Sequence, residues 1–253
     1  MITFFRKIRQ ELLVKKKFTR YLLYALGEII LVVIGILIAL AINNGNEKRL
    51  IANNEQTYLT GLKEEFQTSK VKLKELIAVN KKNYLGAKKI LEYTTTKSKP
   101  PSEEAFSKLL YNTFSTDIAF NPNNSLLQEM INSGNLKNLS NTELRIHLTN
   151  WFSTLEDISR QEEELGTQRE KMLDMFRTNE NSLKTVFEHA GVYEDLGLPK
   201  TKSNMSNLDL LNSVEFENNT LMFILTSYAT EKAHYLPLMH DINKILELID
   251  RNG

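Results

Sequence analysis

From Tyr21 to Ile42 every position is apolar or glycine except Glu28, and there is no proline. About 20 such residues at a rise of ~1.5 Å cross a hydrocarbon core of ~30 Å, which predicts a transmembrane helix over 21–42. The run is apolar on every face, unlike a core helix of a soluble protein, which keeps one polar side. Ala39-Leu40-Ala41 has the form of a signal-peptidase site. The run nevertheless exceeds the roughly 7–15 residues of a signal h-region and holds a carboxylate, so it reads as an uncleaved anchor.

Beyond the run the pattern turns helical and amphipathic. Leu59, Leu62, Phe66, Ser69, Leu73, Leu76, Asn80, Asn83, Ala87 and Ile90 recur at spacings of three and four, predicting one long helix from about Asn46 to Tyr93 that continues off the anchor. Residues 94–101, with Pro100 and Pro101, end it. Ser102 is placed to cap a short helix to about Phe114, with Glu103 and Glu104 in its first turn. Asn121 to Asn124 is a turn, and Leu126 to Ser133 a short helix with Gly134 just past its end.

Ser140-Asn-Thr-Glu143 has the form of a capping box. It precedes the longest stripe: Leu144, Leu148, Trp151, Leu155, Ile158, Glu162, Leu165, Arg169, Met172 and Phe176. That period belongs to a coiled coil or an antiparallel bundle helix. Glu162 and Arg169 fall on seam positions, where they either pair across the bundle or mark a seam open to water. A short helix over Ser182 to Gly191, a loop over 192–206 and a last helix from about Asn219 to Asp250 complete the chain. The last carries Leu221, Leu225, Tyr228, Tyr235, Met239, Ile242, Leu246 and Ile249 on one face, and Pro237 inside it predicts a kink.

The expected fold class is all-α, with one transmembrane helix followed by an exported bundle of three long helices plus short ones. The long helices pair either within the chain or between protomers. The expected division is a basic tail (1–20), the membrane helix (21–42) and an exported helical domain (43–253).

Net charge is only +1, which gives no general affinity for nucleic acid. Its distribution is more telling. Residues 1–20 carry Arg6, Lys7, Arg9, Lys15, Lys16, Lys17 and Arg20 against the single acid Glu11, a net +6, while 43–253 is −4. Basic residues flanking one end of a span keep that end in the cytoplasm, so the bulk of the chain is expected outside the inner membrane. Tyr21 and Tyr24 suit the inner interfacial belt. Residues 2–14, with Ile2, Phe5, Ile8 and Leu12 at helical spacing, read either as a helix on the anionic leaflet or as a plain topogenic tail.

Lys7, the run Tyr21-Leu-Leu-Tyr-Ala-Leu-Gly-Glu-Ile-Ile-Leu-Val-Val-Ile-Gly-Ile-Leu-Ile-Ala-Leu and Ile42-Asn-Asn resemble the N-terminal signature of an uncharacterised family of flavobacterial-type single-span membrane proteins. Ser133-Gly134-Asn135-Leu136 and the stretch Asn141 to Leu148 also match it. The family places Trp after the Asn pair; Gly45 stands there in this chain. The resemblance implies membrane topology and a Gram-negative host, and no reaction.

Catalytic signatures are absent. There is no Cys, which removes thiolate chemistry, and no G-x-S-x-G, H-E-x-x-H, P-loop or EF-hand pattern. Glu231-Lys-Ala-His234 has the spacing of one half of a di-metal bundle site, but it occurs once where two are needed. These residues are therefore expected as solvated neighbours of the core stripe, and Glu188-His189 as a surface pair. The chain is expected to be no enzyme and to need no cofactor or metal.

Glu28 is the exception. A carboxylate in hydrocarbon costs at least about 2.5 kcal/mol and normally faces a partner. Val32, Gly35 and Ala39 share its helix face, and Gly35-x-x-x-Ala39 permits close helix approach. The expected partners are the bilayer and either a second copy or another membrane protein gripped through this face. The expected function is that of a non-catalytic, inner-membrane-anchored binding or scaffold protein. A proton-driven stator-type subunit using Glu28, and a ligand sensor signalling through a separate partner, are the alternatives. The roughly 20 residues before the span are too few for a cytoplasmic effector domain.

Overall fold

A computed structural model of the protein describes residues 18–95, 100–199 and 205–251. Among them every regular element is helical. In order these are α1 (Phe18–Thr95), α2 (Glu103–Phe114), α3 (Ser125–Asn132), a 3-10 turn (Asn135–Asn138), α4 (Thr142–Asp174), α5 (Leu183–Ala190), α6 (Val192–Asp195), a 3-10 turn (Leu208–Asn212), α7 (Val214–Thr230), a π-turn (Glu231–Tyr235) and α8 (Leu236–Asp250). The chain divides into two units, Met1–Thr57 and Tyr58–Gly253.

In the first unit α1 carries the apolar run. It is long and apolar enough to cross a membrane, and none of its apolar window is buried by protein. Leu31 is 72% exposed and Ile42 69%.

In the second unit the same helix becomes amphipathic. Leu59, Leu62, Phe66, Ser69, Leu73, Asn80, Asn83, Ala87 and Ile90 are all buried, as the spacing predicts. The rings of Phe66 and Trp151 meet edge-on at 4.9 Å and tie α1 to α4. α4 packs on α7 and α8, and α2 on α5. Leu144, Leu148, Trp151, Ile158, Leu165, Met172 and Phe176 supply α4's share of the core, while Leu155 is only partly buried at its margin.

The helix ends follow local chemistry. Ser102 caps α2 by accepting from Ala105 N at 3.2 Å, and Gly134 (φ 71°) takes the left-handed conformation after α3. α3 is capped by a neighbour. Glu65 of α1 accepts from the backbone N–H of Leu126 (2.7 Å) and Leu127 (3.3 Å), placing a carboxylate at the positive helix end. The cap of α4 falls one residue later than the Ser140 spacing suggests: Asn141 accepts from Leu144 N at 2.9 Å.

Two expectations at the C-terminal end are corrected. Residues 192–206 are not all loop, since Gly191 (φ 85°) turns the chain directly into α6. The last helical stretch starts at Val214, capped by Ser213, and its first half buries a different face from the one expected. Phe216, Thr220, Phe223, Ser227 and Thr230 point inward, while Leu221, Leu225 and Tyr228 are 44%, 60% and 46% exposed. The π-turn explains the shift. Pro237 has no N–H, and its ring crowds the carbonyl four residues earlier. The turn before it widens, inserts an extra residue and rotates the buried face. At its last residue, Tyr235, and beyond it at Ile242 and Ile249, the expected positions are buried.

Candidate functional site

The candidate contact face in the first unit consists of Glu28, Val32, Gly35 and Ala39. At ~100° per residue these positions fall within a narrow arc of α1. Glu28 is half-buried, Val32 is 53% exposed, and no side chain lies within 4 Å of a Cβ built on Gly35. The face is thus open to close approach by another helix. Arg20 lies in the first turns of α1, whereas Arg6, Lys7, Arg9, Lys15, Lys16 and Lys17 lie outside the described residues.

The second unit holds two buried polar sites. At the first, Glu162 of α4 accepts from Tyr235 Oη at 2.7 Å and from the Phe120 backbone N–H at 2.9 Å. Burial holds its carboxyl above the usual range against the lowering effect of these bonds, and Asp117 adds to the rise. The Tyr235 hydroxyl is likewise raised, by burial first and then by Glu162. Arg169, two helical turns along, does not pair with Glu162. Its guanidinium donates to Phe114 O (2.8 Å) and Ser115 O (3.3 Å) and so holds the end of α2. Both seam charges fasten residues 114–120 to α4, the role that open valences on a core stripe can play once satisfied.

The second site surrounds the π-turn. Asn80 donates to Ser227 O at 2.9 Å, inside the core. Glu231 is only 4% exposed, which corrects the expectation of a solvated residue. Its carboxylate lies 3.2 Å from Lys232 Nζ and beside the Tyr84 hydroxyl. Burial first, then Glu231, raises the Tyr84 pKa. Among the described residues Asn80 Oδ1, Ser227 Oγ and Glu231 Oε2 find no hydrogen-bond partner. Tyr228 roofs the cluster against Tyr84 (6.1 Å, edge-on), with Lys88 and Lys232 over its ring. His234 does not join Glu231 in a ligand set: among the described residues no group of three or more acidic or His side chains is placed to hold a metal ion. Glu188 pairs with Lys184 at 3.8 Å within α5. The sequence signal for the π-turn cluster was Pro237, which marks where a helix must open; nothing in the spacing of Asn80 or Tyr84 pointed to it.

A family model matches residues 28–172, more than half of the chain. The chain belongs to DUF6090, a family of unknown function. The DUF6090 match begins at Glu28 and ends within α4, so it takes in the contact face, the Glu65 cap and Glu162 but not the π-turn. Comparison with the curated proteins and with the solved structures gives no match.

Proposed function

We propose that the protein is a non-catalytic binding or scaffold protein of a Gram-negative inner membrane. Its N-terminus is cytoplasmic, residues 21–42 span the bilayer, and the rest forms a periplasmic bundle built on three long helical segments. The supporting observation is the contrast along α1: the apolar run is uncovered on all sides, while the part from Leu59 onward is packed. A helix so exposed needs lipid or another helix around it. The basic tail sets the orientation. The Glu28, Val32, Gly35, Ala39 face grips a second copy or another membrane protein, joining small-residue packing to a carboxylate inside the span.

Fusion reporters test the topology. A periplasm-dependent reporter after Gly253 is active and one after Arg20 is silent; the reverse pattern contradicts the assignment. The single intramembrane carboxylate also admits a proton-carrying reading, as in a stator-type subunit. Glu28→Gln separates the two. It weakens a contact partially, because the amide still hydrogen-bonds, whereas it abolishes proton transfer as completely as Glu28→Leu does.

A further inference from the structure

In the second unit, α2, α5, α6 and the end of α4 line a half-open cavity of about 450 Å³. That size lies within the range of small-molecule sites, and the lining is mostly apolar. Leu110 and Phe114 of α2 form one wall, Leu173 and Phe176 another, and Val186 a third, with Leu196 at the open side. Gly191 makes this shape possible. Its positive φ turns the chain directly from α5 into α6, which brings Leu196, 64% exposed, into the lining.

Two arginines line the same cavity. Arg169 is largely buried, with 18% of its side chain exposed, and Arg177 is outermost. Glu170 bridges them, 3.2 Å from Arg169 Nη1 and 3.0 Å from Arg177 Nη2, and Asp174 pairs with Arg177. A guanidinium has five N–H donors, and these contacts together with Phe114 O and Ser115 O leave both arginines with donors to spare. An apolar cavity favours an alkyl body, and a guanidinium fork favours a carboxylate.

We infer that this cavity binds a single-chain aliphatic carboxylate, with the chain along Tyr111, Leu173, Phe187 and Leu196 and the head on Arg169 and Arg177. Glu170 and Asp174 compete for the same donors and limit the affinity. The assignment deepens the binding-protein reading but does not rest on the topology, which the fusion reporters address separately.

The test uses the full chain in phosphatidylcholine nanodiscs and a dodecanoic acid with a terminal photoreactive diazirine. Adducts are located by peptide mass spectrometry, and adducts on the apolar run of α1 serve as the control for partition into lipid. Saturable labelling is expected in the peptides holding Tyr111, Leu173 and Phe187. Unlabelled dodecanoate competes about tenfold better than dodecanol, the ratio that one charge-assisted contact supplies. Arg177→Gln lowers cavity labelling and Glu170→Gln raises it, with labelling of α1 unchanged in both. Both positions are solvent-accessible enough to vary without unfolding the domain. Leu196→Asp, at the exposed edge, weakens labelling while Leu196→Lys preserves it. Labelling that never saturates, equal competition by dodecanol, or displacement by a lyso-phospholipid but not by dodecanoate would each overturn the inference.

Discussion

One helix, α1, contains two regions with opposite solutions to the same problem. From Leu22 to Ile42 its apolar side chains are uncovered; from Leu59 to Ile90 an apolar stripe is buried and Lys and Glu fill the outer face. The first region is more hydrophobic yet makes no core, and the second makes a core from far fewer apolar residues. What separates them is periodicity. A helix that is apolar on every side can be satisfied only by a surrounding apolar medium, whereas a stripe is satisfied by neighbouring helices. The glycines show the same divide. A Cβ on Gly86 would overlap Thr113 Oγ1 of α2, while a Cβ on Gly35 meets nothing.

The largest expected effect comes from placing the same charge in both regions. Leu62→Asp buries a carboxylate at a fully enclosed site and should cost about 4 kcal/mol or more. The single tryptophan, Trp151, is buried against Phe66 and reports this unfolding by fluorescence. Leu31→Asp should leave that transition in place and instead reduce recovery of the chain in the membrane fraction.

Next in size is Gly86→Leu, which forces α1 and α2 apart at Thr113 and should destabilise by roughly 1–3 kcal/mol. Gly35→Leu should not move the melt at all and should act only on complexes formed through the membrane face. Equal effects on the melt would remove the distinction between the two regions.

A smaller effect belongs to the Glu162–Tyr235 pair. Tyr235→Phe should cost about 1 kcal/mol near neutral pH. Because folding raises the Glu162 pKa, the folded state holds its proton when the unfolded chain has already released it. This contribution therefore favours the fold at low pH and is lost as pH rises from the ordinary carboxylate range through the folded pKa. Glu162→Gln should flatten that slope in denaturant titrations run across the acidic range; an unchanged slope would show that another group carries it.

The smallest effect is expected at Leu225→Asp, within about 0.5 kcal/mol, because Leu225 faces outward. Phe223→Asp, two residues away and buried, should unfold the domain. This pair tests the rotated face of α7 directly.

That face also shows how far the sequence could be read. The stripes on α1 and α4 were legible because 3.6-residue periodicity survives wherever the helix is regular, even through Asn80, Asn83 and Glu162. The stripe on α7 was misread because the inserted π-turn residue breaks the phase, and counting back from Ile242 and Tyr235 through Pro237 selects Tyr228 and Leu225 instead of Ser227 and Phe223. Local caps were legible to within one residue, as Asn141 shows against Ser140. Contacts between distant segments were not. That Glu65 would cap α3, that Arg169 would hold Phe114 O, and that Asn80 would meet Ser227 O depend on which helices become neighbours, and no local spacing encodes this. The proposed contact face stands between these cases: the residues sharing an arc with Glu28 follow from helix geometry, and what would meet them does not.

The partner contact is therefore the point to test. A photoreactive amino acid is placed singly at Val32, Gly35 and Ala39 on the Glu28 side of the helix, and at Ile30, Leu37 and Ala41 on the other, in chains held in native membranes. Protein adducts larger than the monomer should form from the first set and not from the second. Adducts to lipid alone, or protein adducts spread evenly around the helix, would contradict the proposed contact and leave the span as an anchor only.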